Sequence, residues 1–393
     1  MDRIAALFLL AAAAAPARAA FKVPGYELVY SYPAETTLKE KDLRQAKDVW
    51  PRMFARARRA IDIENFYCTP KPGGALEPTL KSLERAGRRG VKIRVVLDHL
   101  LQKNSAPCIE RLRKIPKLEL HIADWSAITG AGIIHAKFFI VDGRAAYVGS
   151  QNLDWRSLTQ IHEMGLAISD KGVVAQVQSV FDHDWGITAS SAAAAPDDKI
   201  RPVSDRAARS YLTASPWQYN PPGVGDSDTE LARLIGEAKT SIRVQNMEYL
   251  PIDTYVKPER YYATIDDALR AAAMRGVKID LLISDWSPQK EYLQSLAALP
   301  NIRVKIITIP QAKEGPIPFA RVAHSKYMVV DGKLLWMSTS NWRGGYLEGT
   351  RDLDVIVKDP KLAGRAEAVI EHLWDSLYAA PLDLTKHYPK PTH

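Results

Sequence analysis

One short pattern occurs twice in this chain at a constant spacing. His135-Ala136-Lys137 is followed by Asp142 and then by Gly149-Ser150-Gln151-Asn152, while His324-Ser325-Lys326 is followed by Asp331 and then by Thr339-Ser340-Asn341. The offset is 324 − 135 = 189, and the pairs 137/326, 142/331 and 152/341 repeat it. The acidic residue eleven positions past each Asn, Glu163 and Asp352, obeys it as well. Such a chain is expected to fold as two copies of one unit. Equal sets of His, Lys, Asn and carboxylate point to one composite site with pseudo-twofold symmetry.

The duplication reaches well beyond these residues. Ile61–Tyr67 resembles Ile242–Tyr249, each after a helical segment (46–60 and 229–240), and Arg89–Asp98 resembles Arg275–Asp285. Both of the latter read as a helix end, a Gly stop and a β-branched run of buried-strand type. A third helix–strand unit follows in each copy (109–114 into 118–122, and 292–299 into 303–307). The motif strands 136–141 and 325–330 come next, turning at Asp142-Gly143 and Asp331-Gly332 into second strands. Alternating strands and helices predict an α/β fold: two tandem homologous sheet-centred halves packed around one shared site. The expected boundaries are a leader at 1–19, halves at 20–187 and 203–380, a low-complexity linker at 188–202 and a loose tail at 381–393. Segments 126–133 and 310–322, rich in Gly and Pro, are expected to border the site entrance.

The N-terminus carries an apolar run from Ile4 to Ala15 followed by Pro16-Ala17-Arg18-Ala19-Ala20. That run is too short to span a bilayer and ends in an Ala-x-Ala cleavage pattern after Ala19, so it reads as a signal peptide rather than an uncleaved anchor. Export to a periplasm or secretion is the expected address, with no transmembrane segment in the mature chain. Removing residues 1–19 leaves the formal charge at 8 − 1 = +7, so the basic bias belongs to the mature protein. A basic surface suits anionic partners such as nucleic acid or phospholipid headgroups, or is simply a solvated face. Cys68 and Cys108 are either a disulfide, expected in an exported protein, or two buried thiols. No obligatory protein partner is inferred.

His135 and Lys137 lie two apart on a strand-like segment and project to one face, as do His324 and Lys326. Asn152 and Asn341 follow the next strand at a turn. Two His, two Lys and two Asn offer many donors and few acceptors, which suits the non-bridging oxygens of a phosphodiester in its pentacovalent transition state. One imidazole can attack phosphorus while the other protonates the leaving alkoxide and then deprotonates water. Glu163 and Asp352 are suited to accept a histidine N–H and fix the ring. Asp142 and Asp331 read as turn residues. No zinc spacing, Walker loop or Gly-x-Ser-x-Gly elbow is present, and no cofactor or metal is expected. His99, His121, His162, His183 and His372 read as structural or surface residues.

Paired His-x-Lys-x4-Asp motifs with a following Gly-Ser-x-Asn resemble those of the phospholipase D superfamily over nearly the whole mature chain. The resemblance implies two packed sheet-centred halves and a covalent phosphohistidine intermediate without a required metal. It assigns His135 as nucleophile and His324 as general acid. The second copy departs from the pattern with Ser338-Thr339 in place of Gly149-Ser150, so the hydroxyl role there would rest on Thr339. The stretch from Gly149 to Gln160, with Thr339-Ser340-Asn341-Trp342 and Tyr346, is similar to the branch of lysosomal phospholipase D-like 5′ exonucleases and poxvirus envelope phospholipases. Ser150 and Thr339 are then expected at the substrate. Trp155, Trp342 and Tyr346 offer either stacking surfaces for bases or core packing. The expected activity is a phosphodiesterase acting on nucleic acid, most readily single-stranded, with phospholipid as the alternative substrate. A silent binding protein is disfavoured because both sets of residues are intact.

Overall fold

The computed structural model describes residues 20–189, 193–198 and 200–389. The leader expected at 1–19 lies outside the described residues. Each half is built on a nine-stranded mixed sheet. In the first, the principal strands are β1 (Tyr26–Ser31), β2 (Ala60–Asn65), β3 (Lys92–Asp98), β4 (Leu118–Ala123), β5 (Lys137–Val141), β6 (Ala145–Gly149) and β7 (Glu163–Ile168). Those of the second are β8 (Ser210–Ser215), β9 (Ser241–Asn246), β10 (Lys278–Ser284), β11 (Ile302–Ile307), β12 (Tyr327–Val330), β13 (Leu334–Ser338) and β14 (Asp352–Lys358). Their spatial orders are the same, β1-β7-β6-β5-β2-β3-β4 and β8-β14-β13-β12-β9-β10-β11.

The local chemistry explains the repeat. β2, β3 and β4 run parallel, as do β9, β10 and β11, so helices must return the chain between them. Helices α1 (Ala46–Arg56), α2 (Glu77–Arg88) and α3 (Gln102–Arg113) serve the first half; α4 (Lys171–Ile187) closes it. Their counterparts are α5 (Ser227–Glu237), α6 (Ala263–Met274), α7 (Glu291–Ala297) and α8 (Pro360–Trp374). Helices α2 and α6 each end at a glycine in the left-handed region, Gly90 (φ 87°) and Gly276 (φ 90°). Both motif hairpins turn through consecutive positive φ angles, 56° and 63° at Asp142-Gly143 and 53° and 63° at Asp331-Gly332, as a type I′ turn requires.

Strand alternation sorts the core into three layers. On β5, Phe139 and Val141 pack under α1–α3 on the outer face, with Trp50, Leu80 and Leu112. Phe138 and Ile140 face inward to a shared core, where they meet Tyr327, Val329, Val355 and the inner faces of α4 and α8. The two sheets therefore pack on each other through one continuous apolar layer. Asp142 accepts from the backbone N–H of Arg58, Arg59 and Ala60, and Asp331 from Lys239, Thr240 and Ser241, so both aspartates tie hairpin to strand, as turn residues should.

Two expectations need correction. The stretch read as a loose tail begins inside an edge strand, Ala379–Pro381, which pairs with β11, and Leu382 is buried. Segment 126–133 does not border the site. It is wedged in the seam between halves, where a Cβ on Gly132 would stand 2.2 Å from the Gly349 carbonyl oxygen. Cys68 and Cys108 are joined as a disulfide, tying the segment after β2 to α3.

Candidate active site

Both histidines are delivered to the seam by their strands and fixed there by the opposite half. Ile134 forms a parallel bridge with Arg351, and His162 forms the equivalent bridge with Ala323. His135 N–H donates to the Arg351 carbonyl at 3.0 Å, and His324 N–H to the His162 carbonyl at 2.8 Å. The side chains cross in the same way. His135 Nδ1 lies 3.0 Å from Asp352 Oδ1 on β14, and His324 Nδ1 lies 2.8 Å from Glu163 Oε2 on β7. Each histidine thus takes its carboxylate from the other copy, and Nε2 is left for a substrate. His162, beside Glu163, is turned away and meets Ser325 Oγ at 3.0 Å.

Lys137 and Lys326 are buried, and each ammonium donates to the carbonyl of the histidine two residues before it. Burial, with the charge of both lysines, holds the His135 imidazole well below the ordinary histidine range. Burial lowers His324 too, against the pull of Glu163. It also brings the Lys326 ammonium down to about 8, opposed by Glu163, Glu248 and Asp352. Asp352 is pushed up by burial to about 8, with Lys137 and the Thr339 hydroxyl acting against it. The site is a desolvated cluster of mutually opposed charges.

The histidines open into a cavity of about 690 Å³, also lined by Asn152 and Asn341. Its walls carry Phe66, Tyr67, Trp155, Trp286, Phe319 and Tyr346, with Arg156, Glu248 and Arg343 among the polar groups. Phe319 and Val322 come from segment 310–322, which borders the entrance as expected. Trp155 and Tyr346 reach the cavity, and the Tyr346 ring stands edge-on to His135 with 5.0 Å between centroids.

Three of the residues expected at the substrate do not line the cavity. Trp342 is 1% exposed and packs against Trp336 in the outer core of the second half. Ser150 Oγ is spent on the Met164 backbone at 3.1 Å, where it both donates and accepts. Thr339 Oγ1 accepts from Leu353 N–H at 3.0 Å and donates to Asp352 Oδ1 at 2.5 Å. Both hydroxyls clamp the next strand, and the threonine also braces the carboxylate of His135. The Ser338 departure has a steric cause. Gly149 faces Gly165 across β6 and β7 beneath the Tyr147 hydroxyl, with no room for a Cβ, whereas Ser338 donates to Asp354 at the matching positions.

Sequence reasoning missed Glu248, Arg343, Arg156 and Phe319, none of which belongs to the repeated set. Among the described residues, no three His, Cys, Asp or Glu side chains converge in a way that could hold a metal ion, and no helix is long and apolar enough to cross a membrane.

Known proteins resemble this chain in sequence and fold. The family described as "Cardiolipin synthase, PLD-like domain" matches residues 51–185 and 231–374, one segment in each half. Phospholipase D Z of Dictyostelium discoideum is 31% identical over 365 residues, covering 85% of this chain and 86% of that protein. The 5′-3′ exonuclease PLD3 of Xenopus laevis is 32% identical over 372 residues, covering 84% and 75%. The solved phosphatidylserine synthase of Haemophilus influenzae shares the fold at a TM-score of 0.60 and 10% identity, with 86% of this chain and 85% of that one covered. With both halves matched and both motif sets converging on one cavity, the chain belongs to the phospholipase D superfamily of phosphodiesterases.

Proposed function

We propose that this protein is an exported nuclease that cleaves phosphodiester bonds of single-stranded nucleic acid through a phosphohistidine intermediate. The observation that carries this reading is the pair of cross-braced histidines opening into one cavity with aromatic walls. Exposed π-faces beside a phosphate site suit unstacked bases, which a duplex does not present. Relatives named as 5′-3′ exonucleases support the same choice.

Neutral His135 attacks phosphorus through Nε2, with its Nδ1–H held by Asp352. The P–N bond forms as the P–O bond to the leaving alkoxide breaks, and protonated His324 gives that alkoxide its proton. The arriving diester is an anion, so it favours the protonated form of His324 that burial otherwise disfavours. Water then loses a proton to His324 as its oxygen attacks phosphorus, breaking the P–N bond and restoring both imidazoles. Lys137, Lys326, Asn152 and Asn341 bear the charge on the non-bridging oxygens.

The test is end-labelled single-stranded DNA and RNA incubated with purified protein in EDTA, with His135→Ala and His324→Ala beside it. Cleavage by wild type and its loss in both variants is expected. No cleavage, or equal cleavage by His135→Ala, sinks the reading. Phospholipase D or phosphatidyl transferase activity is the second reading, favoured by the 31% identity to Phospholipase D Z. Headgroup release from phosphatidylcholine vesicles, with transfer to an added primary alcohol, would distinguish it.

A further inference from the structure

The two halves differ in one wall of the cavity. The segments Asn65-Phe66-Tyr67 and Asn246-Met247-Glu248 correspond at an offset of 246 − 65 = 181, so a phenol in one copy is a carboxylate in the other. Tyr67 spends its hydroxyl on Asp154 Oδ2 at 2.9 Å, and Arg156 Nη2 holds the same oxygen at 2.6 Å. At the position matching Asp154 the second half has Arg343 (154 + 189 = 343), so the acid has moved from the short strand Leu153–Asp154 to the turn just past β9.

Glu248 is 5% exposed and lines the cavity. Its Oε1 accepts from Asn341 Nδ2 at 2.9 Å. Oε2 stands 3.9 Å from Arg343 Nη1, beyond hydrogen-bond reach, while Arg343 Nη2 donates to Thr254 Oγ1. An ionised carboxylate has about four acceptor positions, so this one keeps capacity facing the cavity. Burial raises the Glu248 carboxyl, and Arg343, Lys326 and the Asn341 amide act to keep it ionised. A buried acceptor with open capacity is costly unless a ligand donor fills it.

The position of Glu248 narrows the identity of that donor. Asn341 bridges Glu248 and the space proposed for the phosphate, which puts the carboxylate one hydrogen-bond step from the scissile ester. In a ribonucleotide the 2′-hydroxyl stands on the carbon next to the one that carries the 3′-phosphate ester. A base amino group lies farther away, across the sugar. Resting on the nucleic-acid reading above, we propose that Glu248 is a specificity-determining residue that accepts a hydrogen bond from the ribose 2′-hydroxyl and makes the enzyme favour RNA over DNA. Deoxyribose has no donor there and leaves the carboxylate unpaired, the situation in which a polar site rejects an analogue most strongly. Arg343 offsets the repulsion between the carboxylate and the phosphate.

The experiment compares kcat/KM on an oligoribonucleotide, the deoxy and 2′-O-methyl oligonucleotides of the same sequence, and bis(p-nitrophenyl) phosphate, which has no sugar. Wild type is expected to favour the ribonucleotide over both analogues by about ten- to hundredfold, the worth of a hydrogen bond to a charged group. In Glu248→Gln, which keeps an oxygen for Asn341, the ratio is expected to collapse toward one. A wild-type ratio near one overturns the proposal. A ratio preserved in Glu248→Gln while all substrates slow together also overturns it, and leaves Glu248 only the task of orienting Asn341. If bis(p-nitrophenyl) phosphate is hydrolysed and no oligonucleotide is, the nucleic-acid reading itself fails and takes this proposal with it.

Discussion

His135 Nδ1 and Asp352 Oδ1 lie 3.0 Å apart, and the boundary between the two copies of the fold runs between them. His324 and Glu163 repeat the relationship in the opposite sense at 2.8 Å. Neither motif histidine pairs with the repeated carboxylate of its own half. Duplication has therefore produced one site assembled from both copies.

Replacing either carboxylate should expose this dependence. Asp352→Asn and Glu163→Gln are each expected to lower kcat by about a thousandfold or more, the scale seen when an imidazole loses the acceptor that sets its tautomer. The change preserves side-chain shape, so circular dichroism and thermal midpoint should move little. Steady-state kinetics on bis(p-nitrophenyl) phosphate gives the answer, and a loss below tenfold would remove the carboxylates from the mechanism.

The pH profile follows from the same burial. Lys326, brought down to about 8, must be charged to stabilise a phosphorane, so kcat/KM should fall as pH rises through 8. Asp352, pushed up to about 8, must be ionised to accept the His135 Nδ1–H, so its titration acts in the opposite sense and lowers the rate on the acid side. Lys326→Arg should shift the alkaline limb to higher pH, because guanidinium stays charged. Stability runs the other way. The native Lys326 binds its proton less tightly than the unfolded lysine, so between about 8 and 10.4 the unfolded state holds more protons and stability rises with pH. The buried histidines act in the same sense at lower pH: His135 and His324 are depressed in the native state, so their contribution falls as pH drops below about 6.5, while Asp352, raised to about 8, opposes them. Rates and urea midpoints measured from pH 5 to 10 test both limbs.

The disulfide links the fold to its expected compartment. Cys68 and Cys108 are fully buried and close a loop with a sequence separation of 40. Removing the bond by a Cys68→Ser/Cys108→Ser double substitution should cost about 3–4 kcal/mol in the chain-entropy account. Protein expressed with residues 1–19 should be recovered from the periplasm beginning at Ala20, with no thiol that reacts after unfolding. Two titratable thiols in that material would refute the bond, and protein retained in the cytoplasm with residues 1–19 still attached would refute the export route.

How much of this was legible in the sequence depended on what the repeat could mark. Constant spacing singled out His135, Lys137, Asn152, Glu163 and their partners, and Asp-Gly pairs marked the hairpins, because turn geometry is written locally. Crossing of the carboxylates was not legible, since spacing does not say which copy a side chain faces. Ser150 and Thr339 shared the offset too, yet their hydroxyls clamp strands. Repetition marks a shared constraint, which can be scaffold as well as chemistry. Glu248 and Arg343 escaped for the opposite reason: they break the symmetry, and a search for repeated residues passes over them.

Phe319 belongs to the non-repeated group and carries the last expectation. It is 60% exposed at the cavity rim and held at φ 55°, a backbone region a bulky residue rarely adopts. An aromatic ring held out to solvent beside a phosphate site is poorly explained by packing and well explained as a platform for an unstacked base. Phe319→Gly removes the ring and suits the backbone angle, so folding should be unharmed. If a base stacks there, KM for single-stranded oligonucleotides should rise by about tenfold, near the lower end of one base–aromatic contact, with kcat little changed. Hydrolysis of bis(p-nitrophenyl) phosphate, which carries no nucleobase, should be little affected. An unchanged KM for oligonucleotides, or an equal loss on both substrates, would exclude this role and leave the ring as part of the loop's own structure.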